Sequence, residues 1–432
     1  MQIRQADTHM QTSLSGISKR ARRDKTHRFG NLYGLLNEKN LHWCLPQLNK
    51  KASCGVDRIS WQEFKENATD NIRALVNALK AGCYKAKLIK RRYIPKGKGR
   101  RPLGIPSIGD KLLQYACALI LSAIYEADFL PFSHGYRRGK GPQRAALELS
   151  RSIHRGRFRW VVDADIKGFF DHLDHDWLMR MLALRIDDRR FLGLIRKWLK
   201  AGILEEDGKV IHPLTGTPQG GVISAVLANI YLHYVLDLWF EKRVKRHCRG
   251  DVMMIRYADD MVCCFQYYDD AKRFYRDVQA RLGKFKLQLS VEKSRLLLFT
   301  RFQTETSNRF TFLGFEYYWS QSRTGKPLVK MQTSKKKLLA AIRSFQSWIK
   351  ANRSRYSTRI LFVKLRQKLQ GHWNYYGVCN NIQRLDYYYR AVTEIMYKWL
   401  NRRSQRRSYN RSSYSDMLEY YRIPRPRIVA YW

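Results

Sequence analysis

The stretch MIRYADDMVCCF, residues 254–265, constrains the fold most, because it places two adjacent aspartates inside an otherwise apolar run. The segments VMMIRY and MVCCF consist of residues that favour β-strands, and the ADD between them has turn character. We therefore predict a β-hairpin with Asp259 and Asp260 at its tip. Aspartate is also common in turns that bind nothing. Clustered carboxylates are costly unless cations neutralise them, so a further carboxylate nearby would favour a metal site.

A further source of carboxylates lies upstream, in the segment WVVDADIKGFFDHLDHD at residues 160–176. The segment opens as a strand and carries Asp163 and Asp165, which share one face because they are two residues apart. Together with the hairpin, such a strand would bind two hard cations through oxygen ligands. Two ions about 3.5–4 Å apart activate an attacking hydroxyl and stabilise the leaving oxygen of a phosphoryl transfer. The residue pattern leaves open whether Asp163 or Asp165 is the ligand.

Composition indicates the partner of this chain. The 432 residues include 82 Lys and Arg against 36 Asp and Glu, which gives a net charge of +46. The basic residues are spread along the chain, which favours an extended polyanion-binding surface. Aromatic residues make up 13% of the sequence, and many are interleaved with basic ones, as suits stacking on bases. Any single basic run is equally consistent with a solvated surface, but an excess this large favours nucleic acid.

Other classes of protein are disfavoured. No apolar run reaches the roughly 18 residues of a membrane span, and the N-terminus lacks the apolar segment of a signal peptide. The eight cysteines contain no Cys-x-x-Cys pair, which predicts reduced thiols in the cytoplasm. Only His172 and His175 lie close together among the histidines, so we expect no zinc site.

The sequence resembles the reverse transcriptases encoded by group II introns. YADD at residues 257–260 resembles the family's signature hairpin, and DIKGFFD at 165–171 resembles its first palm aspartate motif. Other segments resemble fingers, palm and thumb motifs in the family's order, from about residue 19 to the C-terminus: RRYIPKGKGRRPLGIPSIGDKLLQ, FSHGYRRGKGPQRAALEL, GTPQGGVISAVLANIYL, KLQLSVEKSRLLLF, FTFLGFEYYW, LQGHWNYYGV and WLNRRSQRRSYN. The resemblance implies an RNA-directed DNA polymerase.

The resemblance assigns the metal ligands. Asp165, Asp259 and Asp260 correspond to the catalytic carboxylates, and the backbone carbonyl of Ile166 also reaches a metal in this family. The implied cofactor is a pair of Mg²⁺ ions, with Mn²⁺ as a substitute.

The resemblance also assigns residues around the incoming nucleotide. Arg101 matches the triphosphate-binding arginine, with Lys96 or Lys98 assisting through contacts to phosphate oxygens. Phe170 lies where the family places the ring that excludes a ribose 2′-hydroxyl, although a core phenylalanine is the ordinary alternative. Gln219 and Gly220 let the backbone approach the nascent base pair, which a side chain at Gly220 would obstruct. Lys293 matches a lysine near the leaving pyrophosphate, and an ordinary surface lysine is the alternative.

We predict an α+β fold, a right-hand polymerase whose fingers and palm combine an antiparallel sheet with helices and precede an all-helical thumb. The expected domains are an N-terminal helical extension (1–60), fingers and palm (61–325), a helical thumb or maturase domain (326–400) and a basic C-terminal RNA-binding tail (401–432). The thumb prediction rests on apolar stripes with helical spacing, such as Leu338, Ile342, Phe345 and Ile349. The tail is either a disordered arm or a specific RNA-binding element, whose arginines include Arg402, Arg403, Arg406 and Arg407.

The favoured function is a polymerase that makes cDNA by attack of a primer 3′-hydroxyl on a dNTP and binds intron RNA to assist splicing. Its expected partners are template and structured intron RNA, a DNA primer or target, and dNTPs, in the bacterial cytoplasm or on the nucleoid, without a membrane. Whether it forms a homodimer stays open. No HNH endonuclease motif follows the thumb region, so we expect no DNA cleavage. The alternatives are a domesticated polymerase of host defence or DNA repair, and an RNA-binding splicing factor without polymerase activity.

Overall fold

The computed structural model describes residues 2–96, 99–302, 308–322, 324–403 and 408–431, except for the side chains of residues 2–9 and 96. The helices are α1 (Gln2–Arg23), α2 (Glu38–Cys44), α3 (Trp61–Glu66), α4 (Ala68–Lys80), α5 (Ile108–Tyr125), α6 (Pro142–Arg155), α7 (Phe169–His172), α8 (His175–Ala183), α9 (Arg189–Leu199), α10 (Ser224–Leu232), α11 (Lys245–His247), α12 (Tyr268–Lys284), α13 (Lys335–Asn352), α14 (Thr358–Tyr376), α15 (Ile382–Leu400) and α16 (Arg411–Tyr420).

The strands are β1 (Ile89–Lys96), β2 (Gly99–Ile105), β3 (Ser133–His134), β4 (Trp160–Asp165), β5 (Ile203–Leu204), β6 (Val210–Ile211), β7 (Val252–Tyr257), β8 (Asp260–Phe265), β9 (Arg295–Leu298), β10 (Phe310–Phe312), β11 (Phe315–Gln321) and β12 (Pro327–Thr333). The chain divides into two units, each built from separate stretches of sequence. Unit 1 is Met1–Arg137, Asp165–His247 and Arg276–Val291; unit 2 is Arg138–Ala164, Cys248–Tyr275 and Glu292–Trp432.

Unit 1 is largely helical and carries the sheet β2-β1-β5-β6. The β1–β2 hairpin is antiparallel, from Lys90 opposite Ile105 to Lys96 opposite Gly99. The helix α5 follows β2, and the Ser107 side chain caps it by accepting from the backbone N–H of Asp110 at 3.2 Å. By length and composition α5 alone among the described helices could cross a bilayer, yet 67% of it is buried inside the protein. Burial of that kind is typical of a core helix.

Unit 2 contains two antiparallel assemblies of strands and a helical bundle. Its strands include the order β7-β8-β4-β9 and a separate sheet β10-β11-β12. The helices α13, α14 and α15 share one core, to which α16 adds Tyr414. The predicted stripe is confirmed, because Leu338, Phe345 and Ile349 are buried and Ile342 packs against the same core.

Two features of unit 2 differ from the sequence-based expectation. The segment assigned to an all-helical thumb begins with a strand, since Pro327–Thr333 forms β12, and its buried residues alternate as a strand requires. The residues after 400 are not a separate arm where the structure describes them. Asn410 caps α16, whose Tyr414 is 5% exposed within the thumb core.

Candidate active site

The predicted hairpin with adjacent aspartates is present. β7 and β8 pair in the register Val252 opposite Phe265 to Tyr257 opposite Asp260, so Ala258 and Asp259 form a two-residue loop. Met254 and Ile255 are buried, as are all residues of β8 after Asp260, whereas Asp259 is partly exposed and Asp260 is exposed. The apolar strands therefore anchor the hairpin in the core, while the two carboxylates lie at its accessible end.

The loop of this hairpin has a constrained backbone. Ala258 has φ of +54°, a left-handed conformation that costs a non-glycine residue about 1–2 kcal/mol. The Arg256 side chain is fully buried and its Nη1 donates to the Ala258 carbonyl at 2.9 Å. A hydrogen bond from a charged donor contributes about 1.5–3 kcal/mol, which is comparable with the cost of the backbone conformation. This bond therefore offsets at least part of the cost of the loop conformation.

The strand β4 lies beside β8 in the same sheet. The backbone N–H of Arg159, just before β4, donates to the carbonyl of Phe265 at the end of β8 at 2.9 Å. The two strands therefore run antiparallel, and the last residues of β4 lie at the Asp260 end of β8. On its other side β4 pairs with β9, where Asp163 lies opposite Arg295 and forms an ion pair at 3.4 Å. Asp163 is thus partly neutralised within the sheet.

The chain beyond β4 directs the backbone of Ile166. Ile166 forms an antiparallel bridge with Leu289 through two hydrogen bonds, from Lys167 N–H to the Gln288 carbonyl and from Ser290 N–H to the Asp165 carbonyl. In such a pair the N–H and carbonyl of the bridged residue itself point to the opposite side of the strand. The Ile166 carbonyl is therefore directed away from Leu289, as a metal-ligating carbonyl would have to be.

The turn that carries Phe170 is held to the loop at residues 215–217. The backbone N–H of Thr217 donates to the Phe170 carbonyl at 2.8 Å, and Thr215 Oγ1 donates to the Asp171 carbonyl at 3.0 Å. Phe169 is 2% exposed and occupies the core, whereas Phe170 is only partly buried, with the two ring centroids 5.4 Å apart. The core position is therefore taken by Phe169, which leaves Phe170 accessible to a ligand.

Gln219 and Gly220 are joined to β2. The backbone N–H of Gly104 donates to the Gln219 carbonyl at 2.7 Å. Gly220 has φ of +101°, and a Cβ there would lie 3.1 Å from the Gly104 carbonyl oxygen. A Cβ on Gly104 would lie 2.7 Å from Cβ of Pro218. This close approach to Gly104 therefore gives a second reason for glycine at position 220. The first, predicted from the sequence, is that a side chain there would obstruct the nascent base pair.

Arg101 lies on the exposed face of the β1–β2 hairpin, opposite Ile94. Among the described residues none forms an ion pair with Arg101. Its neighbours on β1 differ, since Arg91 binds Glu205 at 3.1 Å and Arg92 binds Glu206 at 3.2 Å. The side chain of Lys96 and the whole of Lys98 lie outside the described residues.

The remaining predicted residues are on the surface. Lys293 is exposed in the turn before β9. Arg402 lies 5.6 Å from the Trp399 ring centroid, and Arg403 donates to Thr358 Oγ1 at 2.7 Å. Arg406 and Arg407 lie outside the described residues. Part of the predicted RNA-binding set is therefore already engaged with the start of α14.

Sequence reasoning missed Arg256 and Tyr375. Burial raises the pKa of Tyr375 to about 12, and the neighbouring Tyr376, Tyr257 and Asp260 add to the effect. This tyrosine of α14 therefore lies within the electrostatic reach of the hairpin end and stays protonated, and its hydroxyl donates to the Leu313 carbonyl at 3.1 Å. A polar residue in a buried strand was the signal for Arg256. Tyr375 lies in the motif-like segment LQGHWNYYGV, but nothing in that segment indicated that it approaches the hairpin.

A ready-made metal cage is absent from the part of the chain that the structure describes, where no three His, Cys, Asp or Glu side chains are grouped closely enough to hold an ion. The donors available are nevertheless carboxylate and carbonyl oxygens, the ligands that Mg²⁺ prefers. The metal assignment therefore depends on the sheet order and the family rather than on a preformed cluster.

The antiparallel sheet, the aspartate-bearing hairpin and the basic helical bundle define a polymerase of the right-hand type. Residues 94–317 match the family described as reverse transcriptase (RNA-dependent DNA polymerase). The chain belongs to this family and is an RNA-directed DNA polymerase.

Individual relatives narrow the class further. The chain is 30% identical to the group II intron-encoded protein LtrA of Lactococcus lactis subsp. cremoris, over 87% of this chain and 75% of the relative. It is 29% identical to protein YkfC of Escherichia coli, over 63% of this chain and 77% of the relative. A shorter match, 35% over 24% of this chain and 15% of the relative, is to nuclear intron maturase 1 of Arabidopsis thaliana. The chain is a reverse transcriptase of the group II intron-encoded type.

Proposed function

We propose that this reverse transcriptase copies RNA at a two-metal centre formed by Asp165, Asp259 and Asp260, and binds the RNA of its own intron to assist splicing. The observation that carries the proposal is the hairpin with Asp259 and Asp260 at its accessible end, within the segment that matches the reverse transcriptase family. The Ile166 carbonyl supplies a further oxygen donor. Bound Mg²⁺ ions, or Mn²⁺ in their place, would activate the primer 3′-hydroxyl and stabilise the leaving pyrophosphate.

The other residues position the nucleotide. Arg101, exposed and without an ion pair among the described residues, would bind the triphosphate, with Lys96 assisting. Phe170 would exclude the 2′-hydroxyl. Gln219 and Gly220 would support the new base pair, and Lys293 would act beside the pyrophosphate.

RNA binding rests on a different kind of interaction. The charge of +46 allows many phosphate contacts along the chain, each contributing modestly to affinity. Intron RNA is the partner favoured by the names of the relatives, which are intron-encoded proteins and an intron maturase. Both cDNA synthesis and splicing assistance would take place in the bacterial cytoplasm or on the nucleoid.

A paired assay tests both halves of the proposal. The double variant Asp259→Ala, Asp260→Ala should lose primer extension on an RNA template while still promoting splicing of the cognate intron at low Mg²⁺. If the double variant folds and binds RNA but promotes no splicing, the maturase role is refuted. The wild-type protein would then be a polymerase whose function is not splicing. Primer extension by the double variant at the wild-type rate would remove the metal assignment.

A further inference from the structure

Arg256 is a charged residue in the buried part of the palm hairpin. It lies in β7 between buried Ile255 and half-buried Tyr257, and it is among the largest fully buried side chains of the described residues. Burying a guanidinium is costly unless its donors are satisfied. A residue that serves only to fill the sheet would be apolar here, as Met254 and Ile255 are. The charge must therefore be held for what its hydrogen bonds do.

One of those hydrogen bonds goes to the hairpin loop. Arg256 is opposite Met261, one pair below Tyr257 and Asp260, so its side chain can reach back to the loop. Its Nη1 donates to the Ala258 carbonyl at 2.9 Å, and Ala258 has the left-handed φ of +54°. The peptide bond that begins with this carbonyl is the one that continues into Asp259. Holding the carbonyl therefore fixes the plane from which the first aspartate projects.

We propose that Arg256 is a positioning residue for polymerisation: its buried guanidinium fixes the Ala258 loop and so sets the orientation of Asp259 and Asp260. The inference rests on the proposed function, since it assumes that these aspartates bind the metal ions. Mg²⁺ demands near-ideal octahedral geometry at short distances, so a loosened loop weakens metal binding before it weakens nucleotide binding. The planar guanidinium directs its donors in a fixed geometry, whereas lysine offers a single flexible donor group, so lysine should hold the loop less firmly.

The test measures the Mg²⁺ requirement of two variants. Arg256→Lys keeps the charge, and Arg256→Met keeps the length without charge. Both should raise the Mg²⁺ concentration for half-maximal primer extension by about tenfold, as removal of a residue that orients metal ligands commonly does. The kcat should fall, while the KM for dNTP should stay within about twofold of wild type because the triphosphate-binding residues are unchanged. Thermal melting of each variant is recorded alongside.

The matched control is a second buried arginine, Arg185, which is 3% exposed and held by Asp128 at 2.9 Å. Arg185→Lys should lower the melting temperature and leave the Mg²⁺ requirement of the folded enzyme at the wild-type value. If Arg256→Lys behaves in the same way, Arg256 has only a structural role and the proposal is wrong.

A further variant decides the case if both Arg256 variants fail to fold. The double variant Ala258→Gly, Arg256→Lys relieves the left-handed strain at residue 258, because glycine adopts positive φ readily, and so offsets part of the lost stability. Its Mg²⁺ requirement should exceed that of Ala258→Gly alone, which keeps the Arg256 hydrogen bond; equal requirements in the two variants would overturn the proposal. Normal polymerisation by Asp259→Ala would instead refute the metal assignment itself, which separates the two failures.

Discussion

The fingers hairpin β1–β2 and the palm hairpin β7–β8 share an antiparallel topology but have opposite surroundings. Beyond its first residues the fingers hairpin is largely exposed, with arginines on both strands. In the palm hairpin, half of β7 and all of β8 after Asp260 are buried, with carboxylates only at its end. The exposed fingers hairpin can therefore form new interactions with a ligand, whereas the palm hairpin keeps a fixed arrangement. Substitutions in the palm should affect kcat, and substitutions in the fingers should affect KM.

The strongest effect that we expect lies in the palm hairpin. Asp259→Ala should reduce cDNA synthesis by at least about 10³-fold, because neighbouring groups cannot replace a missing metal ligand. RNA affinity, measured by filter binding, should change little. The control is Asp163→Ala, which removes the partner of Arg295 and should lower stability with a far smaller reduction in rate. Equal reductions in the two variants would contradict the choice of ligand.

A weaker effect is expected in the fingers hairpin. Arg101→Ala should reduce kcat/KM for dNTP by about 10- to 100-fold, mostly through KM, because the variant lacks a charged donor to the triphosphate. Steady-state primer extension at varied dNTP concentration gives kcat and KM for both the variant and the wild type. Arg92→Ala on the opposite strand is the matched control, since Arg92 is already paired with Glu206. If the control is impaired as much, the general charge of the hairpin and not Arg101 binds the nucleotide.

Sugar selection should show a smaller effect. Phe170→Val should raise the use of rNTPs relative to dNTPs by about tenfold, because a smaller side chain leaves room for a 2′-hydroxyl. The ratio of the two kcat/KM values measures the change. Phe169→Val is the control, because that buried ring should affect stability and leave the ratio unchanged. An unaltered ratio in an active Phe170 variant would return this residue to a packing role.

The weakest effect per residue concerns the basic end of the thumb. Replacing Arg402, Arg403, Arg406 and Arg407 by alanine should weaken intron binding and flatten its salt dependence by about one phosphate equivalent for each arginine that binds a phosphate. Primer extension on a saturating generic template should change little. Arg403 also bonds Thr358, so a separate Arg403→Ala variant and its melting temperature distinguish weaker RNA binding from a loosened bundle. A salt slope equal to wild type in the quadruple variant would exclude these arginines from binding.

The sequence predicted the parts of this protein that depend on local pattern. Runs of β-favouring residues located β4, β7 and β8, and helical spacing located the stripe that begins at Leu338. The ordered motifs identified the family. The local sequence was enough to predict these features, because each depends on residues only a few positions apart.

Features that depend on distant residues were not predicted. Arg256 was missed for another reason: its partner Ala258 is only two residues away, but arginine is seldom fully buried, so its place in a predicted buried strand was not followed up. The ion pairs of Arg91 and Arg92 join residues more than a hundred positions apart. The packing of α16 could have been inferred, because Tyr414, Met417, Leu418 and Tyr421 follow helical spacing within a region whose charge suggested a tail.

The close approach of Gly104 to Pro218 and of Gly220 to Gly104 matters for anyone who evolves this enzyme in the laboratory. A Cβ at either glycine meets a neighbour that is backbone or a rigid proline ring, so no side-chain rotation can make room. Libraries randomised at positions 104 and 220 should therefore return glycine in nearly every active clone, however mild the selection. Diversity is better placed on exposed residues of the hairpin, such as Ile94, other than those proposed to bind the triphosphate.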